Sequence, residues 1–171
     1  MARPADWRAM ATEDLPAVKT LADHIHVDHP EDMAVFEERL ALYPDGCRVL
    51  EEHGRLIGYA LTHPWRFGAP PALNSRLQTI PVDATTYYLH DVALLPDARG
   101  KGHAAGIVNQ IAEHARTSGF DNLSLVAVNG SRVFWERLGF REAMTQALRR
   151  KLSSYGSDSL LMRRELSPSG T

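Results

Sequence analysis

The sequence predicts an α/β (α+β) domain, and three observations carry that expectation. Two segments with helical apolar spacing fill most of the first 45 residues. The pattern then switches to short alternating strands. The most convincing strand, 85–95, runs through a glycine-rich turn into a long amphipathic helix. The 171 residues fit one unit, which at this size buries about 70% of the surface its unfolded chain exposes. We expect a single domain over 1–166 and a disordered tail over 167–171, Ser-Pro-Ser-Gly-Thr.

Composition narrows the function classes. Hydrophobic residues make up 44% and charged ones 23%, an ordinary globular balance. A net charge of −2 gives no electrostatic case for nucleic acid or an anionic membrane as partner. The single cysteine, Cys47, cannot form an internal disulfide, which fits a reducing compartment. No apolar run approaches the roughly 20 residues of a membrane span, and the opening residues lack the apolar stretch of a secretory signal. A cytoplasmic domain is the expectation.

The elements follow in order. A short strand covers Trp7–Met10, and Thr12 is placed to cap a helix whose first turn holds Glu13 and Asp14. Leu15, Val18, Ala22 and Ile25 recur at helical spacing along it. A second helix after Pro30 sets Met33, Phe36, Leu40 and Tyr43 on one face. Residues 46–52 and 55–64 flank His53-Gly54 as a hairpin, with Tyr59, Leu61 and His63 on one face of the second strand. The stretch 66–84, with Pro70, Pro71 and Pro81, has no period; a binding lid and a surface insertion are equally compatible with it. In the 85–95 strand Tyr88 and His90 share one face, Leu89 and Asp91 the other, until any bulge changes the alternation. A helix from about Gly102 carries Ala104, Ile107, Val108, Ile111, Ala112 and Ala115 as its buried stripe and ends at Gly119. A strand at 122–128, a short helix near 131–138 and strands near 140–147 and 158–165 complete the chain.

Pro96-Asp97-Ala98-Arg99-Gly100-Lys101-Gly102-His103-Ala104 is the segment that carries chemistry. Its glycines let backbone approach a ligand with no Cβ in the way. The helix that follows offers unpaired N–H groups and a partial positive charge, which suit a phosphate or diphosphate, and Arg99 and Lys101 add charge. Gly100-x-Gly102-x-x-x-Gly106 also resembles a dinucleotide fingerprint. That fingerprint wants its first glycine almost directly after the strand, early in a parallel βαβ run, whereas here helices and hairpin strands precede it. A Walker A loop is excluded because no Gly-Lys-Ser/Thr is present.

On these residues the chain resembles the GCN5-related N-acetyltransferase (GNAT) family. Arg99-x-x-Gly102-x-Ala104 matches the family signature R/Q-x-x-G-x-G/A, and Asp91-Val92-Ala93-Leu94-Leu95-Pro96 matches the strand before it. Val128-Asn129 and Phe134-Trp135-Glu136-Arg137-Leu138-Gly139-Phe140 match the second signature. The resemblance implies a mixed, mostly antiparallel central sheet of about six or seven strands, flanked by about four helices and splayed between the fourth and fifth strands. It implies acetyl-CoA as donor substrate, an amine as acceptor and no metal. The amides from Gly100 through Lys101, Gly102, His103 and Ala104 to Ala105 would hold the CoA diphosphate. A bulge near Val92, Ala93 and Leu94 would free backbone groups for the pantetheine arm, one N–H polarising the thioester carbonyl. Asn129 matches a position that often contacts that arm; capping the helix near Gly130 explains it nearly as well. A homodimer stays compatible with the sequence.

Acyl transfer to an amine needs the amine neutral. Tyr88 stands where family members often carry a catalytic glutamate or histidine, and His90 lies two residues on, on the same face. Histidine as a residue type titrates near pH ~6.5, which suits proton acceptance. His90, through water, is the expected base; a hydrogen-bonded strand histidine is the bland reading of it. Trp135 replaces the tyrosine that protonates the leaving thiolate in many members, one residue early. An indole only donates, so Trp135 is expected to pack on the cofactor or core. Tyr155 or Tyr88 could supply the proton, and nothing selects either. That departure keeps a non-catalytic acyl-CoA-binding module as the alternative. Pairing of the strands would bring His63 to Tyr88. His24-x-His26-x-x-His29 invites a metal reading that spacing alone does not support. Glu51 and Glu52 are read as solvated, and Cys47 as structural.

Overall fold

The computed structural model describes residues 4–128, 130–143, 150 and 159–167. Strand β1 (Asp6–Ala9) leads through a 3-10 turn, Thr12–Asp14, to helices α1 (Leu15–Ile25) and α2 (Met33–Leu42). Strands β2 (Cys47–Glu52), β3 (Arg55–Trp65) and β4 (Thr86–Leu94) follow, then helix α3 (His103–Thr117) and strand β5 (Asn122–Ala127). Helix α4 (Arg132–Arg137) and strands β6 (Arg141–Glu142) and β7 (Leu160–Glu165) end the described chain. The strands form one seven-stranded sheet in the order β1-β2-β3-β4-β5-β7-β6. Every neighbouring pair is antiparallel except β4 and β5, which α3 connects in parallel. This is the mixed, mostly antiparallel sheet that the resemblance implied.

Local chemistry explains most boundaries. His53 and Gly54 both adopt positive φ (53° and 77°), as a two-residue hairpin turn between twisted strands requires. Helix α3 ends in a Schellman arrangement: Gly119 is left-handed, its N–H reaches Arg116 O, and the Phe120 N–H reaches Ala115 O. The first helix departs from expectation. Thr12 caps nothing; it opens the 3-10 turn, and α1 begins at Leu15. Asp14 takes over the terminus, its carboxylate accepting the Ala11 N–H at 2.7 Å while pairing with Arg8 at 2.8 Å. Arg8 also holds Glu51, so that glutamate is paired as well as partly exposed.

The sheet is covered on both faces. On one, Ile107, Val108, Ile111, Ala112 and Ala115 of α3 pack on Tyr87, Leu89, Leu123, Leu125 and Met162. On the other, Val18, Leu21 and Ala22 of α1 and Phe36 of α2 pack on Cys47, Val49, Tyr59 and Leu61. Burial of each such branched or aromatic side chain is worth roughly 1.5–3 kcal/mol, which fixes both helix layers. Ala104 is only partly buried, at the edge near Leu50 and Ile57. Tyr43 leaves the predicted α2 stripe: it lies beyond the helix end and packs on the α3 side, its Oη 2.7 Å from His114 Nε2.

One irregularity sets where β4 parts from β5. Thr62 pairs with Leu89 and Leu61 with Asp91, so His90 is an extra residue in β4. The bulge therefore falls at His90, earlier than the expected Val92–Leu94. It flips the alternation, so Asp91 joins Tyr88 and His90 on the α1–α2 face instead of Leu89 on the other. Pairing of β4 with β5 stops at the same place: Tyr87, Tyr88 and Leu89 meet Leu123, Ser124 and Leu125, and nothing beyond is paired. The strands diverge from there, opening the wedge that the resemblance placed between the fourth and fifth strands.

Candidate active site

One wall of the wedge is built by main chain. Leu95 donates its N–H to Ile57 O at 2.9 Å. Alternation along the antiparallel ladder then turns the peptide groups of Asp91 and Ala93 toward β3, and those of Val92 and Leu94 away from it, into the wedge. Of the three residues predicted there, Val92 and Leu94 face the opening; Ala93 puts its side chain in the α1–α2 core. The Leu94 carbonyl accepts from Arg99 Nε at 3.2 Å, so Arg99 ties the glycine loop to the strand end.

The mouth of the wedge is the start of α3. Gly100 and Gly102 have φ of 75° and 84°, and a Cβ on either would meet nothing within 4 Å. Their role is the left-handed backbone, with open space in front of it. Among the described residues no side chain caps the helix, and the first intrahelical bond runs from Gly106 N to Gly102 O. The amides of His103, Ala104 and Ala105 thus precede the helical ladder and carry its partial positive charge. Lys101 is exposed beside them. This arrangement suits an anion such as a diphosphate.

The α1–α2 side of the bulge collects imidazoles and carboxylates. His63 pairs with Tyr88 across the strands, their rings 5.7 Å apart, and the Tyr88 and His90 rings are 6.4 Å apart, so the expected cluster is present. His90 Nε2 bonds Glu31 Oε1 at 2.9 Å, with both side chains almost completely buried. Beside this pair, His26 Nε2 donates to Asp91 Oδ1 at 3.0 Å, and Tyr59 Oη donates to Asp91 Oδ2 at 2.5 Å. Burial alone would push the Glu31 carboxyl up. His90, the Asn74 amide and Arg39 outweigh it and hold Glu31 down at about 2. Burial, with His90 and Arg39 nearby, pushes His63 down to about 3 against the pull of the Pro64 carbonyl.

The His63 shift has a measurable consequence. A histidine depressed in the folded state gives its full stability above the unfolded value of 6.5, and loses it as pH falls toward 3. We expect it to remove about 2 kcal/mol by about pH 5. Urea titrations of wild type and His63→Phe at pH 7 and pH 5 check this; the variant should show the smaller loss.

Residues 66–84 form neither strand nor helix, yet they are fastened. The amide of Asn74 donates to Glu31, those of Leu77 and Gln78 donate to Glu38, and Arg39 Nη1 reaches Ser75 O. At the other end, Phe67 and Leu73 pack on Val126, Val128 and Leu161. The segment is an ordered covering over Glu31 and the wedge margin.

The amino-acid sequence itself decides the family, since residues 7–140 match the acetyltransferase (GNAT) family. The chain belongs to it. No curated protein sequence matches the chain. Among solved structures, the loading GNATL domain of CurA from Lyngbya majuscula superposes with TM-score 0.79 at 13% identity, covering 95% of this chain and 98% of that one. The GphF GNAT-like decarboxylase in complex with isobutyryl-CoA gives TM-score 0.78 at 17% identity, with 95% and 100% coverage. The ribosomal-protein-S18-alanine N-acetyltransferase from Escherichia coli gives 0.68 at 18%, with 98% and 97%. These likenesses show the GNAT fold.

Within that GNAT frame, Trp135 stacks edge-on against Phe140 at 5.5 Å and Phe134 at 4.9 Å, on the α3-side core. Asn129 and Tyr155 lie outside the described residues. His26 alone of the three early histidines joins the cluster. The described residues hold no group of three or more His, Cys, Asp or Glu arranged to bind a metal, and no helix among them is long and apolar enough to cross a membrane. Sequence reasoning missed Glu31, Asp91 and Tyr59. The adjacency of a carboxylate to His90 could have flagged Asp91; Glu31 and Tyr59 carry no local signal. Cys47 is wholly buried and its thiol is pushed up to about 12 by that burial. We expect no reaction of the native protein with Ellman's reagent over an hour, and stoichiometric reaction in denaturant.

Proposed function

We propose that the chain is an acetyl-CoA-dependent N-acetyltransferase acting on a primary amine of a small molecule or peptide by direct attack in a ternary complex. One observation supports this above the others: a wedge between β4 and β5, whose Val92 and Leu94 peptide groups face inward, ends at a left-handed glycine loop opening a helix. A thioester with a long amide-bearing arm and a diphosphate fits that order of contacts. In this reading the amides of residues 100–105 and the Arg99-braced loop hold the diphosphate. Val92 and Leu94 align the arm, Asn129 and Trp135 border it, and a wedge N–H polarises the thioester carbonyl. The amine loses its proton at the imidazole–carboxylate cluster of the bulge, where the sequence places His90 and Tyr88. The E. coli neighbour is named as an N-acetyltransferase.

A non-catalytic acyl-CoA-binding module is favoured by one specific observation, the core-packed Trp135 in the usual tyrosine position. The GphF neighbour, named as a decarboxylase in complex with isobutyryl-CoA, shows why donor acyl groups other than acetyl belong in the test. Thermal shift with CoA and with NAD(P) is the first experiment: CoA alone should raise Tm. Thiol release from acetyl-CoA with added amines then separates transferase from module. CoA binding without thiol release supports the module, and stabilisation by NAD(P) alone removes both readings.

A further inference from the structure

Three imidazoles stand at the β4 bulge, and exposure separates them. The side chain of His90 is 1% exposed and His63 is equally enclosed, whereas that of His26 is 31% exposed. The His90 Nε2 is occupied by Glu31, and its Nδ1 is enclosed with no partner among the described residues. A base in that position would have no route for passing its proton to solvent. His26 ends α1, where the helix dipole favours a cation. Its Nε2–H is donated to Asp91, both of whose oxygens are engaged, the second by Tyr59. That bond fixes the tautomer and leaves Nδ1 as the proton-accepting atom, for which the described residues offer no partner. Asp91, which anchors this imidazole, is also the residue directly before Val92, whose peptide group faces the wedge.

We propose that His26 takes the acceptor's proton, with Asp91 and Tyr59 as positioning residues; this rests on the transferase reading above. The acceptor arrives as an ammonium and gives one proton to His26 Nδ1, directly or through one water. The freed lone pair attacks the thioester carbon, the C–N bond forms and the C–S bond breaks. A second proton leaves the nitrogen and ends on the thiolate. His26 returns its proton to solvent, so each turnover releases one proton net. The charged groups facing His26 are Asp91 from β4, Glu31 from the α1–α2 connection and Arg99 from the glycine loop. Burial and Arg99 push the imidazole down, Asp91 and Glu31 push it up, and the balance is a raised pKa. The active form is the neutral one, so activity falls as pH drops through that raised value, and removal of Asp91 should move the fall to lower pH.

The test follows thiol release from acetyl-CoA against pH, with lysine, ethanolamine, spermidine and an alanyl peptide as acceptors, in wild type, His26→Gln, His90→Gln, Asp91→Asn and Tyr59→Phe. CoA affinity is measured in parallel by calorimetry. We expect kcat/KM to fall roughly 100-fold or more in His26→Gln with loss of the acidic limb and unchanged CoA affinity. The limb should shift to lower pH in Asp91→Asn, and the loss in Tyr59→Phe should be a few-fold. Long-range ¹H–¹⁵N spectra of the wild-type histidines should show His26 as the Nε2–H tautomer, titrating above 6.5, whatever the acceptor. An unchanged limb in His26→Gln that disappears in His90→Gln would return the role to His90 and overturn the inference alone, as would the Nδ1–H tautomer. CoA binding with no thiol release from any acceptor overturns the transferase reading and this inference with it.

Discussion

Gly102→Glu is expected to abolish donor binding. At Gly102 the backbone has φ of 84°, so any L side chain is strained there by about 1–2 kcal/mol. The added Cβ itself meets nothing within 4 Å, so the loop has room for the carboxylate. That carboxylate would stand before the unpaired amides of His103, Ala104 and Ala105 and compete with a diphosphate for the same charge. Strain and repulsion together should weaken CoA at least 100-fold by calorimetry. Gly102→Ala carries the strain without the charge and should lose roughly 10-fold, so the difference isolates the electrostatic part. Unchanged CoA affinity in Gly102→Glu would remove the diphosphate from this loop.

The largest stability effect is expected at Glu31. Its carboxylate accepts from His90 on one oxygen and from the Asn74 amide on the other, inside a site that is 8% exposed. Truncation leaves the buried His90 Nε2 and the Asn74 amide unanswered, and Glu31→Ala should cost about 3–5 kcal/mol in urea titrations. The pH dependence follows the same bond. Glu31 is held at about 2 in the folded protein against an ordinary 4.5. Its contribution is therefore complete above about pH 4.5 and is lost as pH falls through about 2, some 3 kcal/mol in all. Wild type should lose that increment between pH 5 and pH 2, while Glu31→Gln should not. Equal slopes in the two proteins would show that the pair contributes nothing selective for the charged form.

Elements with strong periodic or turn chemistry are legible in the sequence. The α3 stripe from Ile107 to Ala115, the His53-Gly54 hairpin and the Gly119 terminus all appear where local patterning put them. The left-handed turns of the glycine loop are legible for the same reason, because Gly100 and Gly102 adopt a backbone that few other residues take. The α1–α2 side of the bulge is not. His90 is a bulge residue, and a bulge is set by how two strands fit, so no residue type announces it. Missing its position by two residues sent Asp91 to the wrong face and hid its pairing with His26. Glu31 reaches His90 across 59 residues of sequence, from a connection with no period at all. Thr12 failed as a cap because Asp14, already held by Arg8, reaches the Ala11 amide better.

The covering segment is anchored from beneath. Asn74, Leu77 and Gln78 contribute main-chain amides to that anchorage and Ser75 a main-chain carbonyl, while the side chains belong to Glu31, Glu38 and Arg39. Almost any residue other than proline supplies the same amide. Side-chain identity is nevertheless restricted at 77 and 78, because Leu77 is buried and Gln78 is left-handed with φ of 70°. Exchange of the Ser75 side chain leaves its main-chain carbonyl on Arg39, whereas loss of Glu31 or Glu38 strips the covering of the partners its amides reach.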